Sequence, residues 1–210
     1  MKSFNDLARR IIDLTYKNRL SHLSSTLSAL PILMDIYSIK KDNEVFILSN
    51  GHAGLAQYVV LEDLYGVDAE MLLHKHGIHP SKDLENHIHC STGSLGCGLP
   101  IAAGHALADR NKNVYCMISD GECAEGSIFE SLRFSHEQNL SNLHIYVNIN
   151  GISATDSVDT KYLEDRLKVF YPRINIRYSK PLEWNFAKGI LTHYYVLKEQ
   201  DYQQLLDLYK

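Results

Sequence analysis

The spacing of apolar and polar positions changes along this chain, and each change marks an element. Residues 4–18 are apolar at Leu7, Ile11, Ile12 and Leu14 and polar at Arg9, Arg10 and Lys17, the pattern of an amphipathic helix. Ser25 or Thr26 is suited to cap a second helix through Tyr37, since hydroxyl side chains accept from free N–H groups at helix starts. A charged turn, Lys40 to Asn43, leads into Val45-Phe46-Ile47-Leu48, a short apolar strand. That strand ends at Ser49-Asn50-Gly51, which opens a helix over about 52–65. Residues 74–93, rich in His, Pro and Asn, read as a loop, and small residues from Gly96 to Ala108 predict a closely packed helix within 94–109.

The next pattern is the most informative. Val114-Tyr115-Cys116-Met117-Ile118 and Leu143-His144-Ile145-Tyr146-Val147-Asn148-Ile149 both read as buried strands. Between them, Gly126 to Gln138 has helical spacing, with Ile128, Leu132 and Ser135 on one face. The remaining pattern predicts a loop over 153–160, a helix over 161–170, a strand over 174–178 and a final helix over 199–209. Alternating strands and helices predict an α/β fold with a mostly parallel sheet.

This strand–helix–strand unit puts Asp120, in Ser119-Asp120-Gly121-Glu122, and Asn150, in Asn150-Gly151-Ile152, on the same sheet edge. Open α/β sheets bind ligands at that edge. A carboxylate and an amide oxygen there, each beside a glycine, suit a hard cation that holds a diphosphate. Taken singly, Asp and Asn are equally at home as a turn residue and a strand-end cap. The shared edge favours the cation.

Composition narrows the class. At 210 residues the expectation is a single domain over 1–210 with a substantial core. A net charge of −4 gives no nucleic-acid footprint. No apolar run approaches a membrane span, and the start Met1-Lys2-Ser3-Phe4-Asn5-Asp6 has no signal core, so a cytoplasmic location is expected. Cys90, Cys97, Cys116 and Cys123 form no C-x-x-C pair. They read as small buried apolar residues rather than zinc ligands.

Two further features carry chemistry. Ser91-Thr92-Gly93-Ser94-Leu95-Gly96-Cys97-Gly98 is a glycine-rich turn entering a helix. It suits an anion or close backbone approach by a cofactor, and close helix packing explains it equally well. It matches neither the dinucleotide fingerprint nor a P-loop, and no dinucleotide fingerprint follows Val45–Leu48. Among eleven histidines, His22, His52 and His79 sit at candidate loop or helix starts. Converging on one pocket, they would move protons to and from sugar hydroxyls near neutral pH. His74, His76, His136 and His144 read as surface or packing residues, and His87 and His89 alternate across an expected strand before the glycine-rich turn.

In order, these segments resemble the thiamine-diphosphate-binding, N-terminal module of transketolases over roughly residues 5–165. The resemblance rests on Ser21-His22, Ser49-Asn50-Gly51-His52-Ala53, His79-Pro80, the Ser91–Gly98 turn, Asp120-Gly121 with Glu125-Gly126, and Asn150-Gly151-Ile152-Ser153. It implies a three-layer α/β/α thiamine-diphosphate-binding fold with a mostly parallel central sheet. It implies that Asp120, Asn150 and the carbonyl of Ile152 bind Mg²⁺ or Ca²⁺, and that His52 and the amide of Gly121 meet the diphosphate. Gly93 would offer its carbonyl to the aminopyrimidine, and Leu95 would pack beside the rings. His22 and His79 would face substrate, and His193 would lie near substrate and diphosphate. Glu125 would sit at a subunit interface, directed towards the partner's catalytic glutamate.

Three departures shape the expected function. Ser119 and Ser21 stand where the family has glycine before Asp120 and His22. The part beyond about residue 160 is shortened, with 171–198 in place of more strand and helix. Nothing resembles the pyrimidine-binding module. The resemblance therefore implies one subunit of a split transketolase, needing a separate pyrimidine-module chain, in an expected α2β2 assembly. The expected reaction moves a two-carbon ketol unit from a ketose to an aldose, on sugar or sugar-phosphate substrates. The alternatives are a 1-deoxyxylulose-phosphate synthase-like or 2-oxo acid decarboxylating chain, and a non-catalytic homologue that binds a partner.

Overall fold

A computed structural model describes residues 1–153, 156–179 and 182–210. Among the described residues four strands form one sheet in the order β1-β2-β3-β4, every neighbouring pair parallel: β1 (Val45–Leu48), β2 (Val114–Ser119), β3 (Leu143–Ile149) and β4 (Asn175–Tyr178). β2 is buried at every position and β3 at all but His144. Helices cover both faces, so these strands read as continuous apolar runs rather than alternating ones.

On one side of the sheet α1 (Phe4–Lys17), α2 (Leu23–Ile39), α3 (Gly54–Tyr65), α4 (Ala69–His76) and α9 (Glu199–Leu208) share one hydrophobic cluster with strand residues, α2 lying against β3 and α9 against α1. The other side packs against α5 (Gly98–Ala108), α6 (Gly126–Glu137) and α7 (Thr160–Phe170). The result is the expected three-layer α/β/α arrangement with a parallel sheet. α1 starts at a capping box, Ser3 with Asp6, and its Leu7, Ile11, Ile12 and Leu14 are buried as the periodicity requires. Glu62 of α3 takes Arg10 of α1 in a two-point contact, both N···O distances 2.8 Å. Among the described residues no helix is long and apolar enough to cross a membrane.

Several expectations need correction. The second helix starts at Leu23, not after Ser25 or Thr26, and its N-cap is His22. The two hydroxyls inside the helix have other work: Thr26 Oγ1 donates to the His22 carbonyl at 2.9 Å, and Ser25 faces His193. The expected loop 74–93 contains the end of α4, which Asp68 caps by accepting from Glu70 and Met71 N–H. The short α8 (Leu191–Tyr194) is not legible in the sequence, because four residues show no period. His87 and His89 lie on no strand. His87 takes a left-handed conformation, φ 61°, after a 3₁₀ turn at Leu84–Asn86, leaving only a bridge between Asp83 and Ile88. Cys116 and Cys123 are buried as expected, but Cys97 is exposed, because it precedes α5 at the surface. Two residues of the expected loop 153–160, Ala154 and Thr155, lie outside the described residues, as do Lys180 and Pro181 of the 171–198 stretch.

Candidate active site

The carboxyl ends of β1, β2 and β3 meet at one edge, and the cavity lies there. Its volume is about 170 Å³. β2 delivers Asp120 directly after Ser119, and β3 delivers Asn150 directly after Ile149. Asp120 is 3% exposed, and its carboxylate accepts three backbone N–H groups: Gly121 on Oδ1 at 3.0 Å, Asn150 and Gly151 on Oδ2 at 2.8 and 2.7 Å. A carboxylate offers about four lone-pair sites, so one remains for another partner. Burial pushes the Asp120 carboxyl above the usual carboxylate range, while those N–H groups pull it down.

Asn150, Gly151 and Ile152 form a tight turn. Gly151 has φ +84°, which only glycine adopts without strain. Asn150 Oδ1 accepts Ile152 N–H at 2.9 Å. Asp120, Asn150 and Ile152 all line the cavity. A carboxylate, an amide oxygen and a backbone carbonyl are all hard oxygen donors, so the residues present fit a Mg²⁺ or Ca²⁺ ion.

The glycine-rich turn contributes another part of the lining. Gly93 and Leu95 line the cavity. A methyl group on Gly51 would sit 2.8 Å from the Gly93 nitrogen and 2.9 Å from the Thr92 carbonyl carbon. One on Gly93 would meet the His79 ring at 3.2 Å. These contacts hold three separated segments at a close approach that glycine permits.

Four histidines complete the walls: His22, His52, His79 and His193. The His22 and His193 ring centroids are 4.1 Å apart, those of His22 and His52 5.8 Å, and those of His52 and His193 5.5 Å. His22 sits in a left-handed conformation, φ 67°, uncommon for a side-chain-bearing residue. It is fixed there on two sides. Its N–H donates to the His193 carbonyl at 2.9 Å, and its Nδ1 lies 2.6 Å from Ser21 Oγ. Burial, then the neighbouring imidazoles, lowers the pKa of His22 to about 4 and that of His52 to about 3. Burial also lowers His193. These three rings are therefore neutral at pH 7.

The structure thus brings His22, His52, His79, Gly93, Leu95, Asp120, Gly121, Asn150, Ile152 and His193 to one cavity. Glu125 lies outside it, exposed, with its Cβ and Cγ against Gly96. One expectation is modified. The Gly121 N–H assigned to a diphosphate already donates to Asp120 Oδ1, so it reaches an anion only by sharing that hydrogen. His87 and His89 do not line the cavity: His87 stacks on Tyr65, with centroids 3.9 Å apart, and His89 is half-buried elsewhere.

Sequence reasoning missed four residues. Ser25, Ser119 and Ser153 also line the cavity, and Ser25 Oγ lies 3.0 Å from His193 Nδ1. Glu122 is fully buried behind the glycine-rich turn. A carboxylate next to an Asp-Gly turn, followed by an apolar helix face, was the available signal for Glu122. Ser119 and Ser153 stand beside Asp120 and Ile152 in the quoted motifs, whereas nothing local marked Ser25 as a cavity residue.

The sequence matches the family described as "Transketolase, thiamine diphosphate binding domain" over residues 37–174. His22 and His193 fall outside that interval. The chain is 35% identical over 145 residues to Transketolase-like protein 2 of Mus musculus, covering 61% of this chain and 23% of that protein. It is 28% identical over 173 residues to an apulose-4-phosphate transketolase subunit of Phocaeicola vulgatus, covering 72% of this chain and 60% of that protein. It therefore spans less than two thirds of the length of either relative. Among solved structures, transketolase from Leishmania mexicana superposes with a TM-score of 0.71 at 18% identity, over 100% of this chain and 41% of that one. A transketolase variant from Pichia stipitis gives 0.76 at 18% identity, over 98% and 40%. At such identity these two structures speak to the fold alone. The family match covers well over half of the sequence, and the chain belongs to the transketolase thiamine-diphosphate-binding domain family.

Proposed function

We propose that this chain is the diphosphate-binding subunit of a split, transketolase-like enzyme, which moves a two-carbon ketol unit from a ketose to an aldose. One observation carries the reading: oxygen donors, a glycine-walled bed and four histidines line a single cavity at the sheet edge. Asp120, Asn150 and the Ile152 carbonyl would hold Mg²⁺ or Ca²⁺, whose charge offsets that of a diphosphate. His52 and Gly121 would meet the diphosphate, with His193 beside them. The Gly93 carbonyl would orient the aminopyrimidine, and Leu95 would pack against the rings. When bound, thiamine diphosphate supplies a nucleophilic carbon and an electron sink for cleaving the bond next to a ketose carbonyl.

The remaining chemistry belongs to the histidines. With a pKa of about 4, roughly one His22 ring in a thousand is protonated at pH 7. His22 therefore serves as a neutral hydrogen-bonding group to a sugar hydroxyl rather than as a reservoir of protons. His79, on the loop that packs against Gly93, would serve a second hydroxyl and move its proton.

A separate pyrimidine-module chain would complete the site, in an α2β2 assembly, and the exposed Glu125 beside Gly96 would contact it. Support comes from the Phocaeicola vulgatus relative, itself named as one subunit of a transketolase, of which this chain covers 60%. The test is ketol transfer from a ketose or hydroxypyruvate donor. The chain is assayed alone and then mixed with a pyrimidine-module chain, with thiamine diphosphate and Mg²⁺ present throughout. Turnover is expected only in the mixture, and Asp120→Ala abolishes it. Cofactor binding and turnover absent from both samples would overturn the proposal, and turnover on pyruvate alone would redirect it to a decarboxylating enzyme.

A further inference from the structure

Glu122 carries a carboxylate that is 0% exposed, and no cation is paired with it among the described residues. Such a charge is costly to bury unless several donors satisfy it. Three do, and each comes from a different part of the chain. Oε1 accepts Ser49 Oγ–H at 2.7 Å, from the end of β1, and Gly96 N–H at 2.9 Å, from the glycine-rich turn. Oε2 accepts Ser119 N–H at 3.2 Å, from the end of β2. Ser49 Oγ in turn accepts Gly98 N–H at 3.2 Å, extending the network to the first residue of α5.

The surrounding glycines fit this arrangement. Gly96 has φ +75°, and a methyl group on Gly98 would sit 2.6 Å from the Ser49 Cα, Cβ and Oγ. The turn is thus held against β1 and β2 through one side chain. The same turn carries Gly93 and Leu95 into the cavity, and β2 carries Asp120.

We infer that Glu122 is a positioning residue: it clamps the glycine-rich turn to the ends of β1 and β2 and so sets Gly93 and Leu95 at a fixed distance from Asp120. This rests on the proposed function for its consequence, because that distance separates the ring end of the cofactor bed from its metal end. The chemistry of the clamp requires a carboxylate. Three donors converge on the two oxygens of one side chain, and an acceptor-only group satisfies all three. Glutamine has the same shape but one oxygen. If that oxygen keeps Ser49 and Gly96, its amide nitrogen meets the Ser119 N–H donor to donor.

The test compares the full chain with Glu122→Gln and Ser49→Ala, using two readouts. The first is amide hydrogen exchange without cofactor. In Glu122→Gln, exchange at Gly96 and Gly98 is expected to rise at least about tenfold, while Cys116 and Ile145 in the central strands stay protected. The second is calorimetric titration with thiamine diphosphate and Mg²⁺. A roughly 10- to 100-fold weaker Kd is expected, the usual size of effect for residues that hold the groups around a metal site. Ser49→Ala keeps the carboxylate and its bond to Gly96 N–H but removes the acceptor of Gly98 N–H, so it should raise exchange at Gly98 and change Gly96 less than Glu122→Gln does. It also decides the question if Glu122→Gln does not fold. Wild-type exchange at Gly96 and Gly98 in both variants overturns the clamp. Faster exchange with unchanged Kd overturns its link to the cofactor. A wild-type chain that binds no cofactor even with a pyrimidine-module chain present overturns the proposed function, and the exchange data then still decide the clamp.

Discussion

Asp120 and Asn150 are joined across the gap between β2 and β3: Asp120 Oδ2 accepts the Asn150 N–H at 2.8 Å. The same oxygen accepts Gly151 N–H at 2.7 Å. Asp120 is thus both a proposed cation ligand and the brace that shapes the turn carrying the other two ligands. The two roles predict different outcomes for different substitutions. Asp120→Ala leaves buried N–H groups without a partner, at about 1–3 kcal/mol each, and should lower stability even with no metal present. Asp120→Asn keeps an acceptor for the turn, so its metal-free stability should fall by only about 1 kcal/mol. Both should lose Mg²⁺-dependent cofactor binding. Chemical denaturation with EDTA and without, beside cofactor titration, separates the two. Equal metal-free stability of wild type and Asp120→Ala would show that the brace contributes nothing.

The glycines give a second, graded prediction. At Gly151 there is room for a methyl group, whose nearest neighbour would be Thr160 Cγ2 at 3.5 Å, but φ is +84°. Gly151→Ala should therefore cost about 1–2 kcal/mol through backbone strain alone. At Gly51 the backbone is ordinary, but the methyl group would lie 2.8 Å from the Gly93 nitrogen. Gly51→Ala must push the glycine-rich turn away, with a stability loss of about 1–3 kcal/mol and a clear fall in cofactor affinity. Gly104, inside α5, has nothing within 4 Å, so Gly104→Ala should stabilise by about 0.5–1 kcal/mol. Thermal melts of the three variants should rank Gly104→Ala above wild type, with the other two below it.

Acid should destabilise the protein in a definable window. The pKa of His22 is lowered to about 4 and that of His52 to about 3, from an ordinary value of 6.5. The unfolded chain then binds more protons than the folded one between those limits, so stability rises with pH across the window. It is complete above about pH 6.5, and as pH falls the loss proceeds through about 4 for His22 and about 3 for His52. For His52, which is half-buried, the full effect is at most on the order of 5 kcal/mol before solvent screening reduces it. For His22, only partly buried, solvent screening reduces it further. Denaturation midpoints from about pH 7.5 to about 4.5 should fall most steeply below about 6.5. His52→Asn should flatten that slope, and a slope as steep as wild type would show that other groups govern the acid response.

Much of this site is legible in the sequence because it hangs on strand ends. Runs such as Val114–Ile118 and Leu143–Ile149 read as buried strands and are, so the alternation of strand and helix locates the residues that follow them, Asp120 and Asn150, at one sheet edge. Gly151 and the glycine-rich turn announce themselves, because few other residues adopt those conformations. What cannot be read depends on contacts between distant segments. Ser25 lies 168 residues from His193 in sequence, and its hydroxyl reads locally as a helix cap. Glu122 stands in the most informative run of the chain, yet its partners Ser49 and Gly96 are 73 and 26 residues away. The start of α2 is misplaced by local pattern for a related reason. His22 takes the cap position in a left-handed conformation that the long-range bond to the His193 carbonyl helps to hold.

That bond frames the last prediction. Two hydrogen bonds tie His193 to the start of α2: His22 N–H to the His193 carbonyl at 2.9 Å, and Ser25 Oγ to His193 Nδ1 at 3.0 Å. Ser25→Ala removes only the second. It should cost about 0.5–1.5 kcal/mol, the net value of one hydrogen bond, and leave the main-chain link intact. Its specific effect should be on the imidazole. With Nδ1 no longer tied to a hydroxyl, the ring loses the partner that fixes its tautomer and orientation. ¹⁵N spectra of the imidazole nitrogens should therefore show a changed tautomer balance for His193 and a smaller change for His22, whose ring is 4.1 Å away centroid to centroid. His193→Ala should weaken diphosphate binding more than Ser25→Ala does, because it removes the ring and not only its anchor. Equal cofactor affinity for wild type and His193→Ala would assign this histidine to packing against His22 and His52 rather than to the ligand.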